Sequence, residues 1–352
     1  MARILLGKVS LDGSSPRSEY ETPTNDLERA LVEIWSRVLK LNRIGISDDY
    51  FALGGDSLRA EEIVTEISGR LGIRRFPIVY FIFAPTIEKM SILLSSEATD
   101  LSSILVCMQP NGDKTPMYFV HACSGEVVFF IDLVYNLGKE RPIFAFRAPF
   151  LNGEKIPYHV IEEYSSRYLK ELLKKQSMGP YILAGAGPGG LIALEMARQL
   201  GDVDVKVILI EALHPKSPLS VLARGRVDRW FGAVRSAPSQ VLEGVRRRSL
   251  LKRLADRVRR FSMVILDLRG NIAQMNSASK RYEPVEYLSP VLLFMAQSRK
   301  GFSPDPYVRI NELLFFLKGE VETHVIPGEH MGILRGPGAR RISETINQYI
   351  RE

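Results

Sequence analysis

The apolar positions change their period once along this chain, and that change divides it. Between residues 23 and 98 they recur at helical spacing: Leu27, Leu31, Ile34, Trp35 and Val38 fall on one helix face. Asn25, with Glu28 three positions on, supplies a capping-box start for that helix. The loop "RIGISDDYFALGGDS" leads to a second helix from about Ser57 to Leu71, and "APTIEKMSILLSS" supplies another behind Pro85. No strand-like alternation precedes about residue 100, so residues 23–98 are expected to form a small helical bundle. Linker-like stretches bracket it: residues 1–22 ahead, with "GSSPRSEYETPT" running from Gly13 to Thr24, and "SSEATDLSS" behind.

From Ile104 short apolar runs take over. "ILVCMQ", a turn signal at Asn111 and Gly112, and "MYFVHA" predict a hairpin. The runs "PIFAF", "YILAGA", "VKVILIEA", "PVLLFMAQ" and "VETHVIPG" then alternate with helical stretches such as Ile161–Lys175, Leu191–Leu200 and Ile342–Ile350. This alternation predicts a mostly parallel sheet covered by helices on both faces. Residues 99–114 read as linker and first strand, and residues 115–352 as one α/β domain.

Composition excludes more than it selects. The 352 residues are 45% hydrophobic and 25% charged, which suits ordinary globular domains. Two cysteines, Cys107 and Cys123, fit a reduced cytoplasmic protein without a disulfide framework or a Cys-rich metal site, so no metal is expected. The opening "MARILLGKVSLDGSS" lacks a signal-peptide apolar run, and no stretch is long and apolar enough to span a membrane. The net charge of +7 is concentrated between Val221 and Phe261, where twelve Arg or Lys face Asp228, Glu243 and Asp256. Apolar residues recur among them at helical spacing, which favours the wet face of amphipathic helices or a docking surface over nucleic-acid binding.

Ser57 follows two glycines and Asp56 at a helix start, where free N–H groups favour an anionic ester and Asp56 can cap. A lone serine there is ordinarily only a cap. The surrounding residues, however, resemble the carrier domains of nonribosomal peptide synthetases: "GGDSL" matches their attachment motif, "DDYF" the approach to it, and "FAPTI" the trailing segment. The resemblance implies that Ser57 carries 4′-phosphopantetheine. The implied partners are a phosphopantetheinyl transferase, upstream adenylation and condensation domains in cis or in trans, and an acyl or peptidyl thioester substrate. "GKVSLDG" is similar to the tail of an adenylation domain, with Ser10 where aspartate is usual.

The second half is similar to thioesterase domains of such synthetases, which implies an α/β-hydrolase fold. "YFVHACSG" occupies the place of their H-P-x-G-G loop, "GPYILAGAGPGGLIALEMARQL" matches the nucleophile elbow and its helix, and "VIPGEHMGIL" matches the histidine loop. Carried over by residue, the histidine is His330, the acid is Glu211, the oxyanion region is Ala122, Cys123 and Pro188, and residues 213–282 form a lid. The nucleophile position holds Gly187, and no Ser, Cys or Thr lies between Leu183 and Leu194. Pro188 also lacks the N–H that follows the nucleophile in this architecture. Three readings stay open. His330 and Glu211 act as a base dyad without an acyl-serine; the domain is an inert pseudo-thioesterase that binds or docks; or serine was replaced by design in an ordinary thioesterase. Cys123 or Ser124 as a substitute nucleophile is a further candidate.

Overall fold

The structure is a computed structural model that describes residues 21–72, 81, 84–95, 103–149, 160–212, 214, 274–298 and 305–351. The chain divides into two compact units, Met1–Ser91 and Ile92–Glu352.

The first unit is built on helices α1 (Asp26–Leu39), α2 (Ser57–Leu71) and α3 (Ile87–Ser95), the division falling inside α3. The cap of α1 forms as its sequence predicts: Asn25 accepts the Glu28 N–H at 2.9 Å. Glu28 in turn accepts the Thr24 N–H and hydroxyl at 2.7 and 2.8 Å. Leu31, Ile34, Trp35 and Val38 are buried, and the Trp35 ring meets Tyr50 and Phe81 at 5.2 and 5.9 Å. These rings fix the long loop before α2. Its backbone is tied to the start of α3 by Tyr50 N–H to Pro85 and Glu88 N–H to Ile46.

The second unit is a seven-stranded sheet. Its strands are β1 (Leu105–Gln109), β2 (Met117–Val120), β3 (Ile143–Phe146), β4 (Tyr181–Ala186), β5 (Val205–Ile210), β6 (Val291–Ser298) and β7 (Val321–Glu329). Their order is β1-β3-β2-β4-β5-β6-β7, with β1 antiparallel and the rest parallel. Helices α4 (Ile131–Leu137), α5 (Ile161–Lys175), α6 (Pro188–Leu200), α7 (Pro306–Leu314) and α8 (Gly336–Tyr349) accompany it. Every residue of β2, β3 and β4 is buried, as parallel strands covered on both faces require. This is the mostly parallel, helix-covered α/β architecture that the alternating runs predict.

The predicted hairpin does not form. β3 lies between β1 and β2, pairing Leu105 with Phe146 on one side and Val120 with Phe146 on the other. The reason is burial: a wholly apolar run such as "IFAF" gains most in the sheet interior, while the half-buried β1 takes the edge. After Asn111 and Gly112 the chain instead passes the start of β3, where Lys114 N–H donates to Glu140. α4 and α7 went unanticipated, and α6 and α8 begin earlier than their apolar periodicity suggests, because proline is favourable in a first helical turn.

The basic run 221–261 and most of residues 213–282 lie outside the described residues. Of the expected lid segment, residues 274–282 pack into the core beside the sheet: Met275, Ala278 and Tyr282 are buried there. Tyr282 donates to buried Glu195 of α6 at 3.1 Å. No helix among the described residues is long and apolar enough to cross a membrane.

Candidate active site

Parallel strands end at one edge of a sheet, and that edge collects the residues of interest. Ala122 and Cys123 follow β2, Gly187 follows β4, Glu211 follows β5 and His330 follows β7. Loops at the carboxyl edge are where open α/β sheets bind ligands. At the opposite edge open a cleft of about 630 Å³ beside Pro116, Pro142 and Pro180 and one of about 620 Å³ beside Pro180 and Lys206.

Gly187 forms the sharp turn between β4 and α6. Its φ of 56° and ψ of −123° lie where side chains are rarely found, and its N–H donates to Ile210 at 2.8 Å. A Cβ at residue 187 would meet nothing within 4 Å among the described residues, so the position faces open space there. Its neighbour is constrained in the opposite sense. A Cβ on Gly189 would lie 2.1 Å from the His121 carbonyl oxygen, so α6 can approach the loop after β2 only with glycine there. Pro188 occupies the first helical position and brings no N–H to it.

Glu211 and His330, 119 residues apart in sequence, meet. The His330 Nδ1 lies 2.5 Å from Glu211 Oε2. Glu211 is 1% exposed and sits at φ 53°, and its other oxygen accepts the Ala296 N–H at 2.5 Å. An ionised carboxylate accepts only, so the shared proton resides on Nδ1, the tautomer in which Nε2 is the basic ring nitrogen. His330 is one-third exposed, Glu211 effectively not at all. A buried Arg309 of α7 places its guanidinium 3.9 Å from the same carboxylate. The sequence reading missed Arg309, since one arginine in an unanticipated helix carries no local signal.

The loop after β2 is held by a histidine that the sequence reading also passed over. His121 is wholly buried, with Nδ1 donating to Ala122 at 2.7 Å and Nε2 accepting from the Tyr168 hydroxyl at 2.6 Å. Burial pushes its pKa down to about 4, so the ring is neutral near neutral pH. Cys123 is a half-buried thiol, in no disulfide, packed against the core, and the Ser124 hydroxyl accepts the Glu126 N–H at 3.4 Å.

In the first unit Ser57 is the first residue of α2. Asp56 caps that helix by accepting the Arg59 N–H at 2.9 Å, and its carbonyl accepts the Tyr50 hydroxyl at 2.7 Å. Gly54, Asp56 and Arg59 are exposed. The start of a helix favours an anionic group through its N–H dipoles, which fits a phosphodiester on the serine that opens α2.

Comparison with known proteins matches both units. The family "Phosphopantetheine attachment site" matches residues 29–94, and the family "Thioesterase domain" matches residues 115–211. The chain is 30% identical over 218 residues to malpibaldin synthetase of Mortierella alpina, which covers 61% of this chain. It is 33% identical over 196 residues, 56% of its length, to indigoidine synthase of Dickeya dadantii. It is 26% identical over 94% of its length to a probable non-canonical nonribosomal peptide synthetase of Salinispora arenicola. The chain spans only 4%, 13% and 4% of those three proteins. In fold it is similar to a holo four-domain nonribosomal peptide synthetase bound to AMP and glycine, with a TM-score of 0.56 at 23% identity. That match covers 95% of this chain and 27% of the other. It is likewise similar to the NocB thioesterase domain, with a TM-score of 0.51 at 17% identity over 68% of this chain and 96% of that one. An attachment site of this kind implies covalently bound 4′-phosphopantetheine. The chain therefore joins a phosphopantetheine carrier domain to a thioesterase domain, matching the carrier and thioesterase pair of nonribosomal peptide synthetase-like proteins.

Proposed function

We propose that this chain is the terminal carrier and thioesterase part of a nonribosomal peptide or hybrid polyketide biosynthetic enzyme, and that its second domain acts on a tethered acyl chain without forming an acyl-serine. Ser57 is the attachment residue in this reading. The phosphopantetheine arm, when bound, supplies a thiol that presents the acyl or peptidyl group as a thioester and departs as the leaving group. Its partners are a phosphopantetheinyl transferase and upstream adenylation and condensation domains.

The observation that carries the reading is the His330 and Glu211 pair, with Glu211 directly following the Ile210 whose carbonyl accepts the Gly187 N–H, and no nucleophile at residue 187. With Nδ1–H held by Glu211, His330 Nε2 takes the proton of an attacking hydroxyl, amine or carbon acid as its bond to the acyl carbonyl carbon forms. The attacker belongs to the tethered chain or to an incoming acceptor. General-base assistance with proximity supplies a large part of such a barrier without covalent catalysis. Pro188 favours the rival, a pseudo-thioesterase that binds or docks, because losing one oxyanion donor costs about 2.7–4 kcal/mol in a transition state.

Intact-protein mass spectrometry decides between them. After Ser57 is converted to its pantetheinyl form and loaded with candidate acyl groups, the native chain should lose the acyl group with release of product, and His330→Ala should retain it. Equal loss from both proteins would sink the base dyad, and retention by both across the acyl series would favour the binding module.

A further inference from the structure

The Glu211 carboxylate is buried, yet its hydrogen-bonded partner His330 is a base that must be neutral to work. A buried carboxylate beside a neutral imidazole would lack a counter-charge, and burial favours protonating it. The fold supplies a permanent cation. Arg309 of α7 is 0% exposed, and its Nη1 lies 3.9 Å from Glu211 Oε2, the oxygen that faces His330. Its Nη2 donates to the Ala296 carbonyl, while Glu211 accepts the N–H of that same residue. Cation and carboxylate are thus anchored on one residue of β6, next to the register shift between Ala296 and Ser298.

We propose that Arg309 is a positioning residue for the dyad, keeping Glu211 ionised and aligned while its charge disfavours a second cation on His330, so that the imidazole stays a free base. This rests on the proposed role of the dyad and deepens it. A guanidinium 3.9 Å away gives Glu211 a counter-charge in both states of His330. Other charged groups on the surrounding elements are Glu312 of α7, Glu329 at the end of β7, Arg335 after the His330 turn, and Asp132 of α4, which accepts the Gly336 N–H. Of these, Glu329 is exposed, and Asp132 offsets Arg335 electrostatically.

The test is the titration of the His330 ring, read by nuclear magnetic resonance on the full chain with ¹³C-labelled histidine and His330→Gln to assign the signal. Arg309→Gln retains an N–H for Ala296 and removes the charge; Arg309→Lys retains charge. The glutamine variant should bind its proton at least one pH unit higher than native, a tenfold change in proton affinity, and the lysine variant should stay within about 0.3 unit of native. Arg309→Met provides the same readout should the glutamine variant fail to fold. In a Glu211→Gln background the Arg309→Gln effect should change by half a unit or more, because the two charges are coupled. A lowered melting temperature with an unchanged titration in the neutral variants would reduce Arg309 to a structural residue and overturn the proposal. The titration needs no turnover, so an inactive dyad and an uncoupled arginine give different results.

Discussion

The open space above Gly187 makes a direct trial of the site possible. In Gly187→Ser the new Cβ meets nothing within 4 Å among the described residues, so the cost there is that of holding a side chain at φ 56°. Such strain amounts to about 1–3 kcal/mol, which a domain of ordinary stability, roughly 5–15 kcal/mol, survives. Gly189→Ser is the control: its Cβ would sit 2.1 Å from the His121 oxygen and 2.6 Å from that of Val120, both backbone atoms. It should fail to fold. The folded Gly187→Ser variant should be labelled by a fluorophosphonate and should hydrolyse a pantetheine thioester slowly. Its rate should be limited by the N–H that Pro188 lacks, a loss of about 2.7–4 kcal/mol or two to three powers of ten. Adding Pro188→Ala should therefore raise hydrolysis by about 10²–10³. A folded double variant that is neither labelled nor hydrolytic would refute the proposal that His330 serves as the base for a group at residue 187.

Two further outcomes follow from buried contacts. Gly55→Ala would put its Cβ 2.4 Å from two Tyr50 ring atoms. It should cost the carrier unit about 1–3 kcal/mol for overpacking and about 1 more for the bond from Tyr50 to Asp56. Trp35 fluorescence in a Trp230→Phe background reads this, and an unchanged denaturation midpoint would count against the packing account. His121, held at about 4 by burial against an ordinary 6.5, binds fewer protons folded than unfolded between those values. Its contribution is whole above pH 6.5 and is lost as the pH falls towards 4, about 3 kcal/mol in all. Denaturation at pH 7.5 and 4.5 should show a larger acid loss for native protein than for His121→Asn, and equal losses would exclude His121 as the titrating group.

Much of this architecture is legible in local pattern. The helix α1 and its cap, the wholly apolar strands and the parallel sheet follow from residue spacing, because period and capping depend on near neighbours. The hairpin error has the same origin. Two apolar runs across an Asn-Gly turn look like partners, and nothing local says that "IFAF", more than twenty residues on, gains more by entering between them. Arg309 was invisible for a related reason: its meaning lies in a carboxylate 98 residues away in sequence.

What the sequence by itself determined is the pairing of a carrier-like helical unit with an α/β unit, and the chemistry that residue 187 cannot do, since glycine lacks a nucleophile in any fold. It also determined that Pro188 brings no N–H. Only the tertiary structure decided that the turn keeps open space above Gly187, that His330 and Glu211 meet at 2.5 Å, and that Arg309 stands behind them. Residue identity limits chemistry locally, whereas these contacts depend on how strands distant in sequence are ordered and on what their burial leaves to compensate.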